Sequence, residues 1–250
     1  MVFIPTHLPA PTGALNFNRT GLPGLYYLEK RKIPSPVNNH ILMNEFLLFP
    51  ITYSIIAFTV LISFIAFNNA DAKYKLLFYP AGMNSPNEYY RFISYGFIHA
   101  DYIHLFFNMF TLYSFGRMVE ISLFNKSQYI IFYFSALVAS TVFDFIKNRN
   151  NSRYAALGAS GAVSAVVFST IIFNPWERNI VLFGIPALAL PNIVFAALYL
   201  IYCAYMAKRG GDNIGHNAHM WGSIYGFVFT GIIHPAMLVN FFYQLIHPVF

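Results

Sequence analysis

The sequence predicts an all-α membrane protein, a bundle of six transmembrane helices with an interfacial first loop, and three observations carry that expectation. Of the 250 residues, 57% are hydrophobic and only 10% are charged, a balance that excludes a disordered chain and an ordinary soluble domain. A bilayer span needs about 20 apolar residues, fewer where one end is shielded by protein, and the chain has room for about six such spans with their loops. The connection after the first apolar block is long and rich in Tyr and Phe, as suits a segment lying at the membrane surface.

Residues 1–45 differ from everything after them. Pro5, Pro9, Pro11, Pro23, Pro34 and Pro36, with the basic cluster Lys30-Arg31-Lys32, predict a poorly ordered tail. The basic residues follow the few apolar ones, so this is no ordinary signal peptide, and Met43 offers a second translation start just before the first apolar run. The helical domain is expected over 46–235. Phe46–Phe67 is long enough to span. Asn68 to Ile98 forms the first loop, where Pro80, Gly82 and Pro86 break any long helix. The second span, Tyr102–Val119, carries His104 and Asn108 on one helical face, and the third runs from Tyr129 to Ile146.

The fourth span, Ala159–Phe173, is short, so one end stops below the membrane surface. Pro186 and Pro191 confine the regular part of the fifth, which extends to Met206, to its later portion. The sixth, Ala218–Ile233, is closed by Pro235, and 236–250 reads as an apolar interfacial tail. The net charge of +6 reflects scarce acids more than clustered bases, so the lipid bilayer is the expected partner and a nucleic acid is not. Cys203, the single cysteine, lies in an apolar run and reads as packing.

Chemistry concentrates around Gly158-Ala159-Ser160-Gly161, where a serine stands between glycines at the mouth of an apolar segment. Small residues in such helices commonly serve close packing alone, so a catalytic reading needs a base elsewhere. The sixth segment supplies one. His219, Gly222 and Gly226 share a helical face, and the fourth offers Gly158, Gly161 and Ala165 as a matching small surface. If these faces meet, the Ser160 hydroxyl comes within hydrogen-bond range of the His219 ring, and an imidazole that accepts the proton turns a serine into a nucleophile. His104, Asn108 and the backbone around Ser160 are candidate donors to the oxyanion of an acyl-transfer step. His216 is an alternative base without the glycine face beneath it, and His99 lies near a membrane boundary where a polar residue costs little. A metal enzyme built on His99, His104, His216 and His219 lacks repeated ligand boxes and any carboxylate among them, so no metal or other cofactor is expected.

Together these motifs resemble the rhomboid intramembrane serine proteases. The likeness is carried by Gly158-Ala159-Ser160-Gly161, by Ala218-His219 with Gly222 and Gly226, and by His104 through Asn108. Tyr90-Arg91 in the first loop and Gly116-Arg117-Met118-Val119-Glu120 extend it. It covers Phe46 to Pro235 and leaves out the proline-rich tail. The resemblance implies a rhomboid-like bundle with a Ser160/His219 dyad and no acidic third member. It further implies an oxyanion site from His104, Asn108 and the Ser160 backbone, substrates that are single transmembrane helices, an N-terminus inside and an active site opening outward. The charges flanking the spans do not decide this orientation. A departure is Ser164, where some members carry a tyrosine packed on the catalytic histidine. The alternative within the family is an inactive protein that binds client transmembrane helices. The style of the sequence suggests a bacterial plasma membrane, and it sets no oligomeric state.

Overall fold

The computed structural model describes residues 3–5, 46–178, 180–182, 189–210 and 214–248. The expected tail lies outside the described residues except for Phe3–Pro5, a strand β1 that pairs antiparallel with β2 (Ile180–Leu182), which in turn pairs with β3 (Ala189–Leu190).

The rest is helical. Helix α1 (Pro50–Asn68) begins at a proline, which fits the first turn because its missing N–H would have no helical partner there. The next two N–H groups, of Ile51 and Thr52, both donate to the carboxylate of Glu120 at 2.8 Å, and the Thr52 hydroxyl adds a third bond at 2.7 Å. An acidic residue far along the sequence thus caps α1, where the helix dipole favours negative charge. The first loop folds into α2 (Ala70–Leu76), two 3₁₀ turns, α3 (Arg91–Ser94) and a third 3₁₀ turn (Tyr95–Phe97). Arg91 gathers it: its guanidinium donates to the carbonyls of Tyr74 and Leu77 at 2.9 Å each and pairs with Glu88 at 2.6 Å.

Helix α4 (Tyr102–Ser122) starts at Asp101, whose carboxylate accepts from the His104 N–H. Helix α5 (Lys126–Asn148) opens with a capping box between Asn125 and Gln128. Helix α6 (Ser160–Ile171) has 12 residues, and every one after Ser160 is buried. Helix α7 (Asn192–Arg209) begins directly after Pro191, while Pro186 lies outside the described residues. Helix α8 (His216–Ile233) ends before Pro235, which opens α9 (Pro235–Ile246) at a bend of 114°. The segment expected as an interfacial tail therefore contains a helix turned sharply away from α8.

Around an apolar core that includes Phe78, Leu112, Phe132 and Leu137, several polar side chains are also buried and many large apolar ones are exposed. Thr52, Thr59, Ser63, His99, Ser140 and Asp144 are buried, whereas Phe64, Phe106, Ile146, Ile201 and Ile232 are exposed. That distribution suits a lipid solvent, in which polar groups must find partners within the protein. Among the described residues, α1 and α5 are each long and apolar enough to cross a membrane, and the bent pair α8–α9 passes the same test together. α6 is too short to qualify alone, and α4 carries His104, Asn108, Arg117 and Glu120 within its length.

Candidate active site

Ser160 opens α6, and the segment before it hangs on the first loop. Phe78 and Ala156 exchange two backbone bonds of 2.9 Å, and the Gly158 N–H donates to the Tyr95 carbonyl at 2.9 Å. The Ala159 N–H donates to His99 Nε2 at 3.4 Å, while Ser63 Oγ lies 2.9 Å from His99 Nδ1 and donates its own proton to the Phe97 carbonyl. One tautomer satisfies all of these: His99 carries its proton on Nδ1 and accepts at Nε2. Burial first, and the neighbouring His104 second, hold the His99 pKa down to about 3, against a small opposing pull from Asp101. His99 is thus a neutral structural strut beneath the serine.

Gly158 has φ of +112°, a conformation that disfavours any side chain, and a Cβ there would lie 2.6 Å from His104 Cε1. Its place was expected on the helix-packing face, and here the structure differs. Gly158 precedes the helix, turns the chain into it and lets the His104 ring rest on the backbone.

The other glycines do form that face. A Cβ on Gly222 would stand 2.1 Å from the Gly161 carbonyl oxygen, and one on Gly226 would stand 2.1 Å from that of Ala165. Backbone meets backbone along α6 and α8, which brings His219 Nε2 to 2.7 Å from Ser160 Oγ. Both side chains are half-buried, so water can reach them. The ring of Tyr199, on α7, stacks on His219 with centroids 6.5 Å apart and planes 17° from parallel. Tyr199 is held by a 3.0 Å bond between its hydroxyl and that of Ser164. The serine that departs from the family pattern thus anchors a tyrosine supplied by another helix.

His104 and Asn108 lie on α4 beside the serine segment. The Asn108 amide donates to the His104 carbonyl at 2.9 Å, which engages one of its two N–H bonds and leaves a second for a ligand. The first N–H groups of α6 have no partner within their own helix, and the dipole there favours an anion. His216 stands with its ring 6.1 Å from that of His219 and is buried, one helical turn earlier on α8.

Sequence reasoning missed Asp144. This α5 carboxylate, 1% exposed, accepts from the Tyr154 hydroxyl at 2.8 Å and from the Asn217 amide at 2.9 Å. Tyr154 leads to Ser160 and Asn217 leads to His219, so a single buried acid ties together the approaches to both. An acidic residue near the end of an apolar block was the available signal.

Comparison with known proteins agrees with this architecture. The family model described as "Rhomboid domain" matches residues 86–236, which include every candidate site residue. The chain is 28% identical over 166 residues to rhomboid protease GlpG of Haemophilus influenzae, covering 66% of this chain and 80% of that protein. It is 27% identical over 150 residues to the mitochondrial presenilin-associated rhomboid-like protein of Bos taurus, covering 58% of this chain and 38% of the relative. The chloroplastic rhomboid-like protein 11 of Arabidopsis thaliana is 25% identical over 154 residues, with 58% and 52% covered. The chain thus spans most of the bacterial relative but about half or less of the organellar ones. With the model matching more than half of its length, the chain belongs to the rhomboid family of membrane proteins.

Proposed function

We propose that this protein is an intramembrane serine endopeptidase that cleaves peptide bonds in or near transmembrane helices. The observation that carries the reading is the 2.7 Å contact between Ser160 Oγ and His219 Nε2 at the start of a buried, short helix. A helix of 12 residues rises about 18 Å, well short of a bilayer core of about 30 Å, so its serine end stands below the membrane surface, where water and a membrane-borne chain can both arrive.

In this reading α1, α4, α5, α6, α7 and α8 are the six spans. A substrate helix, locally unwound, enters near α7 and presents an extended segment to Ser160; unwinding is what the bilayer penalises, so helix-breaking residues favour it. Ser160 Oγ attacks the scissile carbonyl while its proton passes to His219 Nε2. The oxyanion receives hydrogen bonds from His104, Asn108 and the backbone at Ser160. His219 returns the proton to the departing amine, leaving an acyl-serine. Water then attacks the ester with His219 as base, which releases the carboxylate and restores the hydroxyl. The stacked Tyr199 ring helps to hold the imidazole in position.

The relatives' names place them in a bacterium, in mitochondria and in chloroplasts, so they leave the expected bacterial plasma membrane as one location among several. A fluorophosphonate probe should label the purified protein once, at Ser160, and Ser160→Ala should abolish labelling. A folded wild-type chain that takes up no label would favour a protein that holds client helices without cutting them.

A further inference from the structure

We propose that Cys203, His216 and His219 form a binding site for a thiophilic divalent cation of the zinc class, whose occupation silences the serine site by capturing His219. The proposal rests on the reading of His219 as the general base. One ligand atom from each of these residues lies within 4.8 Å of the other two. In a tetrahedral zinc site, with bonds of roughly 2.0–2.3 Å, neighbouring donors stand about 3.5 Å apart, so small side-chain rotations suffice to close the set. The donors come from two helices: Cys203 from α7, and His216 with His219 from successive turns of α8. One thiolate and two imidazoles suit zinc better than magnesium or calcium, which take oxygen ligands.

An entry path is present. A cavity of about 180 Å³, lined by Asp144, Tyr154, Met206, Gly210, His216 and Asn217, lies against one of the three donors. It has the polar character that admits water and a hydrated cation.

The consequence for catalysis follows from imidazole chemistry. His219 Nε2 already faces Ser160 Oγ at 2.7 Å, and a metal that takes Nδ1 keeps the ring against the serine. A neutral ring coordinated through Nδ1 carries its single proton on Nε2, so Nε2 donates to Ser160 and no longer accepts from it. The Cys203 proton is released to water as the thiolate binds. No residue changes oxidation state, and a chelator reverses the state.

Cys203 is the single cysteine of the chain, so a thiolate-to-metal signal can arise only from it. The full chain, purified in detergent and freed of metal, should bind one Co²⁺ with a thiolate charge-transfer absorption that Zn²⁺ bleaches. Ser160→Ala should bind equally well. Cys203→Ser and His216→Gln, each confirmed folded by thermal unfolding, should lose the site, the first without any charge-transfer band and both with at least about tenfold weaker Zn²⁺ binding. In proteoliposomes Zn²⁺ should inhibit wild-type cleavage, a chelator should restore it, and Cys203→Ser should keep basal cleavage and resist Zn²⁺. A folded wild type without a thiolate band, or equal Zn²⁺ inhibition of Cys203→Ser, overturns the proposal. A chain that binds Co²⁺ through its thiolate yet cleaves nothing keeps the metal site and removes the protease reading.

Discussion

The Tyr199 ring stacks on that of His219, so the orientation of the imidazole depends on Tyr199. Tyr199→Phe keeps the ring and loses the hydroxyl with its bonds to Ser164 and Cys203, and cleavage should fall by no more than about threefold. Tyr199→Ala should lower kcat by about tenfold or more, the equivalent of an aromatic contact of roughly 1–1.5 kcal/mol, with KM little changed. Equal losses in both variants would contradict the stacking role. His99 carries a pH dependence. Its pKa is near 3 when folded, against 6.5 in an unfolded chain, so the unfolded state binds the extra proton between those values. The stability from neutral His99 is complete above about pH 6.5 and is lost progressively as pH falls toward 3. The unfolding temperature should drop between pH 7 and pH 4, and His99→Asn should flatten that drop. Ser160 and His219 were legible in the sequence because glycines at helical spacing predicted which backbones would touch. Tyr199 was not, because it is one of 18 tyrosines and its partners lie on two other helices. The same holds for Gly158, whose positive φ is a property of a loop and leaves no periodic signal.

The contact between α6 and α8 is the element on which the site depends, and its tolerance is steeply position-dependent. Gly226→Val places a side chain where even a Cβ would stand 2.1 Å from the Ala165 carbonyl oxygen. Backbone cannot move aside as a side chain can, so this variant should lose about 3 kcal/mol or more of stability, and its dyad with it. Gly231→Ala, on the same helix, meets only the tip of Leu238 at 3.0 Å and should be tolerated. Thermal unfolding of both variants in one detergent separates these outcomes, and matched stabilities would refute the backbone contact. Asp144 acts between elements. Asp144→Asn keeps its volume but offers a single acceptor oxygen to Tyr154 and Asn217, so cleavage should fall by about tenfold while the protein stays folded. The helices themselves were largely legible, with ends shifted by a few residues from the apolar blocks. The helical content of the first loop and the turn into α9 were not, since both depend on tertiary caps and packing.

At the scale of the molecule, one end of the bundle gathers the chemistry. The first loop, the approach to Ser160 and the start of α8 meet there, through the Phe78–Ala156 bridge and the Asp144 network. At the other end His234 bonds the Leu123 carbonyl, and the Trp176 indole donates to Gln244 at 2.8 Å. With the six alternating spans proposed above, reporters inserted at 84 and 151 should face one side of the membrane and reporters at 125 and 177 the other. Sidedness was illegible in the sequence because basic residues flank both ends. The dyad is tested most directly by cleavage of a single-span reporter substrate in proteoliposomes by wild type, Ser160→Ala and His219→Ala. The dyad at the mouth of α6 predicts cleavage by the wild type and a loss of at least about a thousandfold in each folded variant. Undiminished cleavage by Ser160→Ala would contradict it.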